Sequence, residues 1–334
     1  MRARELWFDG RGHVEIRSAS LPCPGRGQVL VETVVSAISA GTELLFYRGI
    51  LQGKVAVDAT FKSLGSEPAY PMRYGYAAVG VVKETGDGVD PDLKGTLVFS
   101  FSPHASAFLA DISEVLPVPD GLDPDDAAFL ANMETAVTLV LDGQPRLQDR
   151  VSVFGLGVVG LCTTALLARF PLARLRAYDP IGLRREAAAA LGAETMECLG
   201  PEVTTEDLVF ELTGCADALG PAVAAAAYSG LVVIGSWYGA APFASGLAAE
   251  AAVGNTAFHR GRVRMLASQV SSIDPSLSGR WDRERRLSAA WEAVRTIRPS
   301  RWITHRVPLT RAEEAYALLS GKRSEAIQVL LVPA

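Results

Sequence analysis

Six consecutive residues have glycine at their first, third and sixth positions: Gly155, Leu156, Gly157, Val158, Val159 and Gly160. A short apolar strand is predicted before them, at 151–154, and an apolar helix directly after them. Gly155 permits a tight turn, Gly157 lets the main chain approach a pyrophosphate, and Gly160 allows the helix to pack closely on the strand. Free N–H groups and the positive dipole end of such a helix attract phosphate. The pattern predicts a dinucleotide-binding site.

Asp179 ends the next predicted strand, 24 residues after Gly155. Its carboxylate can accept hydrogen bonds from ribose hydroxyls and would repel a ribose 2′-phosphate, which favours NAD(H) over NADP(H). A turn role is the alternative, because Asp before Pro is ordinary turn chemistry. Other candidate cofactor contacts lie after Asp179 or where later strands end: Arg184, Thr213, Gly214, Ser236, Trp237, Tyr238, Ser268 and Gln269. The two aromatic residues of this set are equally compatible with the core.

Short strands alternate with helices through the middle of the chain, which indicates a parallel, doubly wound sheet. The predicted strands there are 151–154, 175–178, 208–211, 231–234 and 264–267, with helices at 183–191 and 221–228. Before them, strands are predicted at 28–38, 77–82 and 96–101 and a helix at 124–141. After them come helices at 284–297 and 311–319 and strands at 302–305 and 326–332. Residues 49–70 are predicted to form a surface loop, with a helical turn, that could cover a cleft.

Composition excludes several classes of protein. The chain has 334 residues, 49% hydrophobic and 21% charged, and a net charge of −5. An acidic chain of ordinary globular composition is not expected to bind nucleic acid. Its four cysteines form no CxxC motif, and no apolar stretch is long enough to cross a membrane. The first residues lack the apolar core of a signal peptide, so a cytoplasmic protein without a membrane partner is expected.

Several segments together resemble the medium-chain dehydrogenase/reductase superfamily, of the alcohol dehydrogenase type. They are Gln28–Glu43, Gly75–Val82, Leu116–Leu122, Asp149–Gly160 and Ala187–Ala193. The resemblance implies an α/β chain with a GroES-like catalytic β domain at 1–122 and a Rossmann domain at 123–297. It also implies that 298–334 returns to complete the catalytic domain, and that the protein is a homodimer.

The residues at the zinc-binding positions of this superfamily differ from those of its zinc-dependent members. Such members carry a cysteine in a CGTD-like stretch and a histidine in a GHE stretch. Here the first stretch is Ile38–Glu43, with a small residue in place of cysteine, and the second is Gly75–Ala77, with Tyr76 in place of histidine. Glu134 is similar in position to a third, carboxylate ligand of some relatives, but one carboxylate cannot hold zinc. We therefore predict no metal.

The likeness is to zinc-less members, distantly similar to the bacteriochlorophyllide hydroxyethyl dehydrogenases. The segments that carry it are Tyr74–Tyr76, Ala131–Ala136 and Ser236–Gly239. Without zinc, hydrogen-bond donors must polarise the substrate oxygen.

Five residues are candidates for this chemistry. Tyr76 replaces the histidine, and Thr42 is at the usual proton-relay position. Glu43 or Glu134 would orient or accept the proton, and His104 is an alternative acid. A phenol titrates near ~10, so Tyr76 acting as a base near neutrality needs a positive charge nearby, which oxidised nicotinamide could supply. Structural roles are the alternatives: Tyr76 packing in a cleft wall, Glu134 forming buried hydrogen bonds, and Thr42 capping a turn.

We therefore expect a zinc-independent, NAD(H)-dependent oxidoreductase that interconverts a secondary alcohol with a ketone or an aldehyde on a specialised small-molecule metabolite. One alternative is a reductase of an activated carbon–carbon double bond or a quinone, for which NADPH would be usual. The other is an inactive dinucleotide-binding scaffold.

Overall fold

The computed structural model describes residues 1–50, 69–199, 205–238, 256–270, 272–321 and 325–333. The chain forms two compact units, one of residues 1–131 with 294–334 and one of residues 132–293. Most of the loop predicted at 49–70, namely 51–68, lies outside the described residues. The predicted boundaries at 122 and 297 stay predictions.

Strands and helices are numbered here in chain order. The strands are β1 (Arg2–Phe8), β2 (Val14–Ser20), β3 (Gln28–Ala37), β4 (Ala78–Thr85), β5 (Leu97–Ser100), β6 (Ala107–Asp111), β7 (Val115–Pro117), β8 (Arg150–Phe154), β9 (Arg174–Tyr178), β10 (Glu194–Met196), β11 (Glu206–Glu211), β12 (Ala226–Ile234), β13 (Arg264–Ala267), β14 (Ile303–Pro308) and β15 (Gln328–Val332). The helices are α1 (Ala40–Tyr47), α2 (Pro124–Ala127), α3 (Leu130–Gly143), α4 (Val158–Leu167), α5 (Gly182–Ala189), α6 (Leu219–Ala225), α7 (Thr256–Gly261), α8 (Arg283–Ile297) and α9 (Ala312–Gly321).

The first unit is built on a largely antiparallel sheet. Its strand order is β14-β15-β3-β4-β5-β7, and β6 also pairs with β3. The C-terminal strand β15 runs antiparallel to β3, with Leu330 opposite Ala37. Phe8, Phe46 and Tyr316 are among the fully buried side chains of the adjoining core. The chain therefore completes this sheet with residues from both of its ends.

The second unit is built on a parallel sheet of order β10-β9-β8-β11-β12-β13. Phe154, the last residue of β8, is in register with Tyr178 of β9 and Glu211 of β11. The direction of winding reverses between β8 and β11, and ligands of such sheets bind at the carboxyl edge near this point. The prediction of an α/β chain with a parallel, doubly wound sheet is confirmed.

Two predicted helices differ from those observed. The helix expected over 124–141 is divided into α2 and α3. The helix expected over 221–228 was wrong at its end, because α6 stops at Ala225 and Tyr228 lies in β12. Among the residues that the structure describes, no helix has the length and hydrophobicity that a membrane crossing requires.

Candidate active site

The turn between β8 and α4 needs glycine at two of its three glycine positions. Gly155 has a left-handed φ of +90°, and a Cβ there would lie 2.7 Å from the main chain of Leu212. A Cβ on Gly160 would lie 1.9 Å from the carbonyl oxygen of Gly155, so only glycine lets α4 pack this closely. A Cβ on Gly157 would meet no described atom within 4 Å. The main chain at Gly157 thus has open space beside it, which fits the approach of a phosphate.

The first turn of α4 supplies the donors for such a phosphate. The helix begins at Val158, so the N–H groups of Val158 and Val159 precede the first intrahelical hydrogen bond, from Leu161 N–H to the Gly157 carbonyl at 2.8 Å. Leu156, by contrast, donates its N–H to the Asp179 carboxylate. The turn therefore fits a dinucleotide pyrophosphate, although the cofactor contacts of its residues stay predictions.

Asp179 holds the glycine turn in place. Its side chain is only 4% exposed, and Oδ2 accepts the Leu156 N–H at 2.8 Å while Oδ1 accepts the Ile181 N–H at 2.9 Å. Arg184 lies beside it, with Nη1 3.7 Å from Oδ2. The carboxylate has further acceptor positions for ribose, but the turn role given above as the alternative is the one that its contacts show.

Residues after β11 and β12 form one polar cluster at the carboxyl edge. The Gly214 N–H donates to Ser236 Oγ at 2.8 Å, and the Tyr238 hydroxyl donates to Glu211. Thr213 donates to the same glutamate through both its N–H, at 2.9 Å, and its hydroxyl, at 2.5 Å. The structure therefore brings these predicted residues together around Glu211, which sequence reasoning missed. The sequence did contain a signal for Glu211, because it is a charged residue at the last position of an apolar strand.

The remaining predicted cofactor residues differ in their surroundings. Trp237 is 38% exposed, so the alternative of a core aromatic does not apply to it. Ser268, which Gln269 follows, donates its hydroxyl to Asp142 Oδ2 of α3 at 2.6 Å. Burial raises the pKa of Asp142. The Ser268 hydroxyl is therefore engaged with a helix of its own unit.

In the first unit, Tyr76 lies against the start of α1. Its hydroxyl donates to Ser39 Oγ and lies 3.3 Å from Thr42 Oγ1. The phenol is partly buried, and burial raises its pKa to about 12. Tyr76 is therefore protonated near neutral pH and can donate a proton. Thr42 also donates its N–H to the Ser39 carbonyl, so it forms part of the helix start as well.

Glu43 lies behind Tyr76 and is fully buried. Oε1 accepts the Ser39 N–H at 2.7 Å, and Oε2 accepts the Tyr316 hydroxyl at 2.5 Å. Oε2 is also 2.9 Å from Nε2 of His104, which is fully buried too. Glu43 was predicted to orient or accept the proton and His104 to be an alternative acid, and both roles stay predictions. In the structure Glu43 holds the Ser39 N–H, and His104 lies against Glu43.

Glu43, His104, Tyr76 and Thr42 share a set of hydrogen bonds with Ser36, Ser39 and Tyr316, here called the Glu43 cluster. Sequence reasoning did not identify the last three of these residues. Ser39 precedes α1 and is four residues before Glu43, which is a spacing that a glutamate side chain spans on a helix. Ser36 Oγ lies 2.5 Å from Nδ1 of His104. Tyr316 comes from α9, far along the chain, and no local pattern points to it.

Glu134 belongs to the second unit and is paired with a guanidinium. Its Oε1 accepts hydrogen bonds from Arg286 Nη2 at 2.8 Å and Nε at 3.1 Å, and both side chains are buried. Arg286 also donates to the Ser272 carbonyl at 3.3 Å. Glu134 is therefore paired with a group that cannot lose its charge, and its expected role of orienting or accepting a proton stays a prediction. The contacts agree with the alternative of buried hydrogen bonds.

The residues at the three zinc positions named by the resemblance do not fit a zinc ion. Ala40 offers a methyl group, Tyr76 a protonated phenol, and Glu134 a carboxylate that Arg286 already holds. Zinc at a catalytic site takes three protein ligands of thiolate, imidazole or carboxylate type. Across the described ranges there is no group of three or more His, Cys, Asp or Glu residues that could hold a metal.

Two known proteins of similar sequence are a dehydrogenase and a protein named as dehydrogenase-like. No family model matches the chain. D-guloside 3-dehydrogenase of Escherichia coli (strain K12) is 27% identical over 241 residues, which cover 67% of this chain and 66% of that protein, just under two thirds of its length. An uncharacterized zinc-type alcohol dehydrogenase-like protein of the same organism is 26% identical over 349 residues, 95% of each chain.

Solved structures share the whole fold. An alcohol dehydrogenase from Escherichia coli CFT073 complexed with NADH has a TM-score of 0.76 at 15% identity, covering 99% of each chain. A zinc-binding dehydrogenase from Sinorhizobium meliloti 1021 bound to NADP has a TM-score of 0.74 at 20% identity, covering both chains fully. This chain is thus similar in sequence and in fold to alcohol dehydrogenase-like proteins of the medium-chain type.

The expected GroES-like and Rossmann architecture is confirmed, and the known dehydrogenases that the chain resembles agree with the expected class of enzyme. Galactitol-1-phosphate dehydrogenase from Escherichia coli has the same fold, with a TM-score of 0.77 at 17% identity over 99% of this chain and all of that one.

Proposed function

We propose that this chain is a zinc-independent dehydrogenase that interconverts a secondary alcohol and a ketone, with Tyr76 as the residue that holds the substrate oxygen. The observation that carries the proposal is the Tyr76 hydroxyl, held by Ser39 and Thr42 where the superfamily's metal ligand would be. The organic donor set in place of thiolate and imidazole supports membership of the zinc-less branch.

Proton transfer in this proposal runs through the Tyr76 phenol. Bound nicotinamide supplies the hydride in the reducing direction and receives it in the oxidising direction. On reduction the carbonyl oxygen gains electron density and takes the Tyr76 proton, which leaves its hydrogen bond to Ser39. The phenol carries this proton at neutral pH, since its pKa is about 12. Ser39 and Thr42, the hydroxyl neighbours of the phenol, then stabilise the phenolate until a proton returns.

Glu43, His104 and Tyr316 act as positioning residues. Glu43 accepts the Ser39 N–H, and His104 and Tyr316 hold Glu43 in turn. A fixed Ser39 keeps the Tyr76 phenol in one orientation. A donor that is already oriented stabilises developing charge without having to reorganise during the reaction.

The cofactor of this proposal is NAD(H), bound at the glycine turn of residues 155–160. Asp179 beside that turn supports NAD(H) over NADP(H), because a carboxylate repels a 2′-phosphate. The substrate is a specialised metabolite with an alcohol group, in line with the sugar named for one relative. We further propose a cytoplasmic homodimer.

The test measures NADH and NADPH formation or consumption with a panel of secondary alcohols, ketones and enones, alongside the zinc content of the protein. We expect turnover with an alcohol or ketone without bound zinc, and Tyr76→Phe to lower kcat/KM roughly a hundredfold, the cost of losing one oxyanion donor. Ser100→Ala, a buried hydroxyl bonded to Ser102, is the control and keeps activity.

Other results would contradict parts of the proposal. One zinc per chain with activity lost on chelation would show that the metal-free part is wrong. NADPH-dependent turnover of enones alone would indicate the reductase alternative. Tight cofactor binding with no turnover would indicate the scaffold.

A further inference from the structure

Strand β11 has a fully buried glutamate at each end, and the two differ in their partners. Glu206, at the start, accepts hydrogen bonds from Arg174 Nη2 at 2.7 Å and Arg176 Nη1 at 3.4 Å. The carboxylate of Glu211, at the end, accepts hydrogen bonds from Thr213 and Tyr238 among the described residues. Over the residues that the structure describes, no Lys, Arg or His lies within ion-pair distance of Glu211. Strand β11 thus carries two buried carboxylates. Among the described residues, that of Glu206 has positively charged partners and that of Glu211 has none.

The described partners of the Glu211 carboxylate are hydrogen-bond donors. Oε1 accepts a main-chain N–H and a hydroxyl from Thr213, and Oε2 accepts the hydroxyl of Tyr238. Hydrogen bonds of this kind stabilise a carboxylate. Burial and the charge of Glu211 raise the pKa of Tyr238, so this phenol stays a donor. A buried anion without a cation is costly, and proteins seldom keep one unless something else compensates it.

The position of Glu211 indicates what compensates it. Glu211 is in register with Phe154, the residue before Gly155, and with Ile234 at the end of β12. It therefore lies at the carboxyl edge, in the strand next to the glycine turn, where such sheets bind their ligand. Dinucleotide cofactors of redox enzymes carry a positive nicotinamide ring when oxidised and a neutral ring when reduced.

We propose that Glu211 supplies the negative charge that stabilises the oxidised nicotinamide ring, so that the carboxylate raises affinity for NAD(P)⁺ relative to NAD(P)H. This inference rests on the proposed cofactor binding. The positive ring compensates the unpaired carboxylate, and the neutral ring does not. Glu211 acts through space, because its side chain is covered by Thr213 and Tyr238 and has no exposed surface.

The test compares dissociation constants of NAD⁺, NADH and ADP-ribose, with NADP⁺ and NADPH in parallel, by calorimetry on the full chain. For Glu211→Gln we expect NAD⁺ to bind roughly tenfold more weakly, the order of effect of one charge several Å away at intermediate dielectric. NADH and ADP-ribose should bind within about twofold of the native chain. Glu206→Gln removes the same charge at the other end of β11 and should leave the NAD⁺ to NADH ratio unchanged.

An unchanged ratio in Glu211→Gln, or the same change in Glu206→Gln, would overturn the inference. If the glutamine variant does not fold, Glu211→Met is measured instead, because apolar replacements of buried charges often preserve the fold. A native chain that binds none of the five ligands would contradict the proposed function itself. A native chain that binds them, with variants that weaken oxidised and reduced forms equally, would contradict the Glu211 inference alone.

Discussion

Two buried glutamates, one in each unit, are held by partners of different chemistry. Glu43 accepts hydrogen bonds from a main-chain N–H and a tyrosine hydroxyl and lies beside the imidazole of His104. Glu134 is held by the guanidinium of Arg286. A guanidinium keeps its charge at any accessible pH. Glu134 is thus held in an ion pair, whereas Glu43 is held in a network of hydrogen bonds, in which burial raises the pKa of Tyr316 so that this phenol stays a donor.

The partners of a carboxylate, rather than its place in a motif, determine its role. Both glutamates were proton-acceptor candidates by position, and both are shielded from solvent. In contrast to the two glutamates, Tyr76, which two hydroxyls hold at the start of α1, is only partly buried.

Breaking the fixed pair should have the largest effect on stability. Arg286→Met leaves Glu134 as a buried carboxylate without its guanidinium, which is expected to lower the free energy of unfolding by about 3–5 kcal/mol. Urea unfolding followed by tryptophan fluorescence measures the change. Arg295→Met, at an exposed position of the same helix α8, should change it by less than about 0.5 kcal/mol. Equal losses in both variants would show that the pair contributes nothing specific.

A smaller loss is expected where one hydroxyl is removed from the Glu43 cluster. Tyr316→Phe should lower the free energy of unfolding by about 1.5–3 kcal/mol, the range for a hydrogen bond to a charged group. Tyr47→Phe is the control, since its ring stacks on Tyr316 at 5.4 Å but its hydroxyl donates to the part-exposed Glu313. We expect the control to lose about half as much or less, because water can replace that bond. Urea unfolding of both variants measures the two losses in the free energy of unfolding. A larger loss in Tyr47→Phe would contradict this account.

The smallest change in stability at neutral pH is expected from the titration of Tyr76, because this titration takes place at alkaline pH. Its pKa is raised to about 12 by burial, so the folded chain keeps this proton from pH 10 to 12 while the unfolded chain releases it. The contribution to stability is complete below pH 10 and is lost as pH rises toward 12. The stability difference between the native chain and Tyr76→Phe should therefore shrink over this range. Unfolding measured at several alkaline pH values tests this, with the exposed Tyr228→Phe as control; a constant difference would contradict it.

Local patterns were enough to predict the second unit and the glycine turn. The strand before Gly155 and the helix after it follow from an apolar run and from glycines whose roles depend on immediate neighbours. The end of α6 was not predictable in this way, because Ala-rich sequence favours helix while residues from Ala226 onward pair with β11. The pairing partner lies outside any local window.

The candidate site was predictable only in part for the same reason. Tyr76 and Thr42 were found because their positions match a known pattern of the superfamily. Tyr316 reaches Glu43 from 273 residues away, and Arg286 reaches Glu134 from 152. Contacts of that separation depend on tertiary packing, so the roles of Glu43, His104 and Glu134 could not be assigned from the sequence.

The pairing of β15 with β3 has a consequence for the order in which the molecule can be made. A ribosome that has just synthesised α8 has produced every residue of the second unit, which can then begin to fold. The first sheet still lacks β14 and β15, and Glu43 lacks Tyr316, until these later residues emerge. The hydrogen bonds around Glu43 are therefore completed only after the whole second unit has been synthesised.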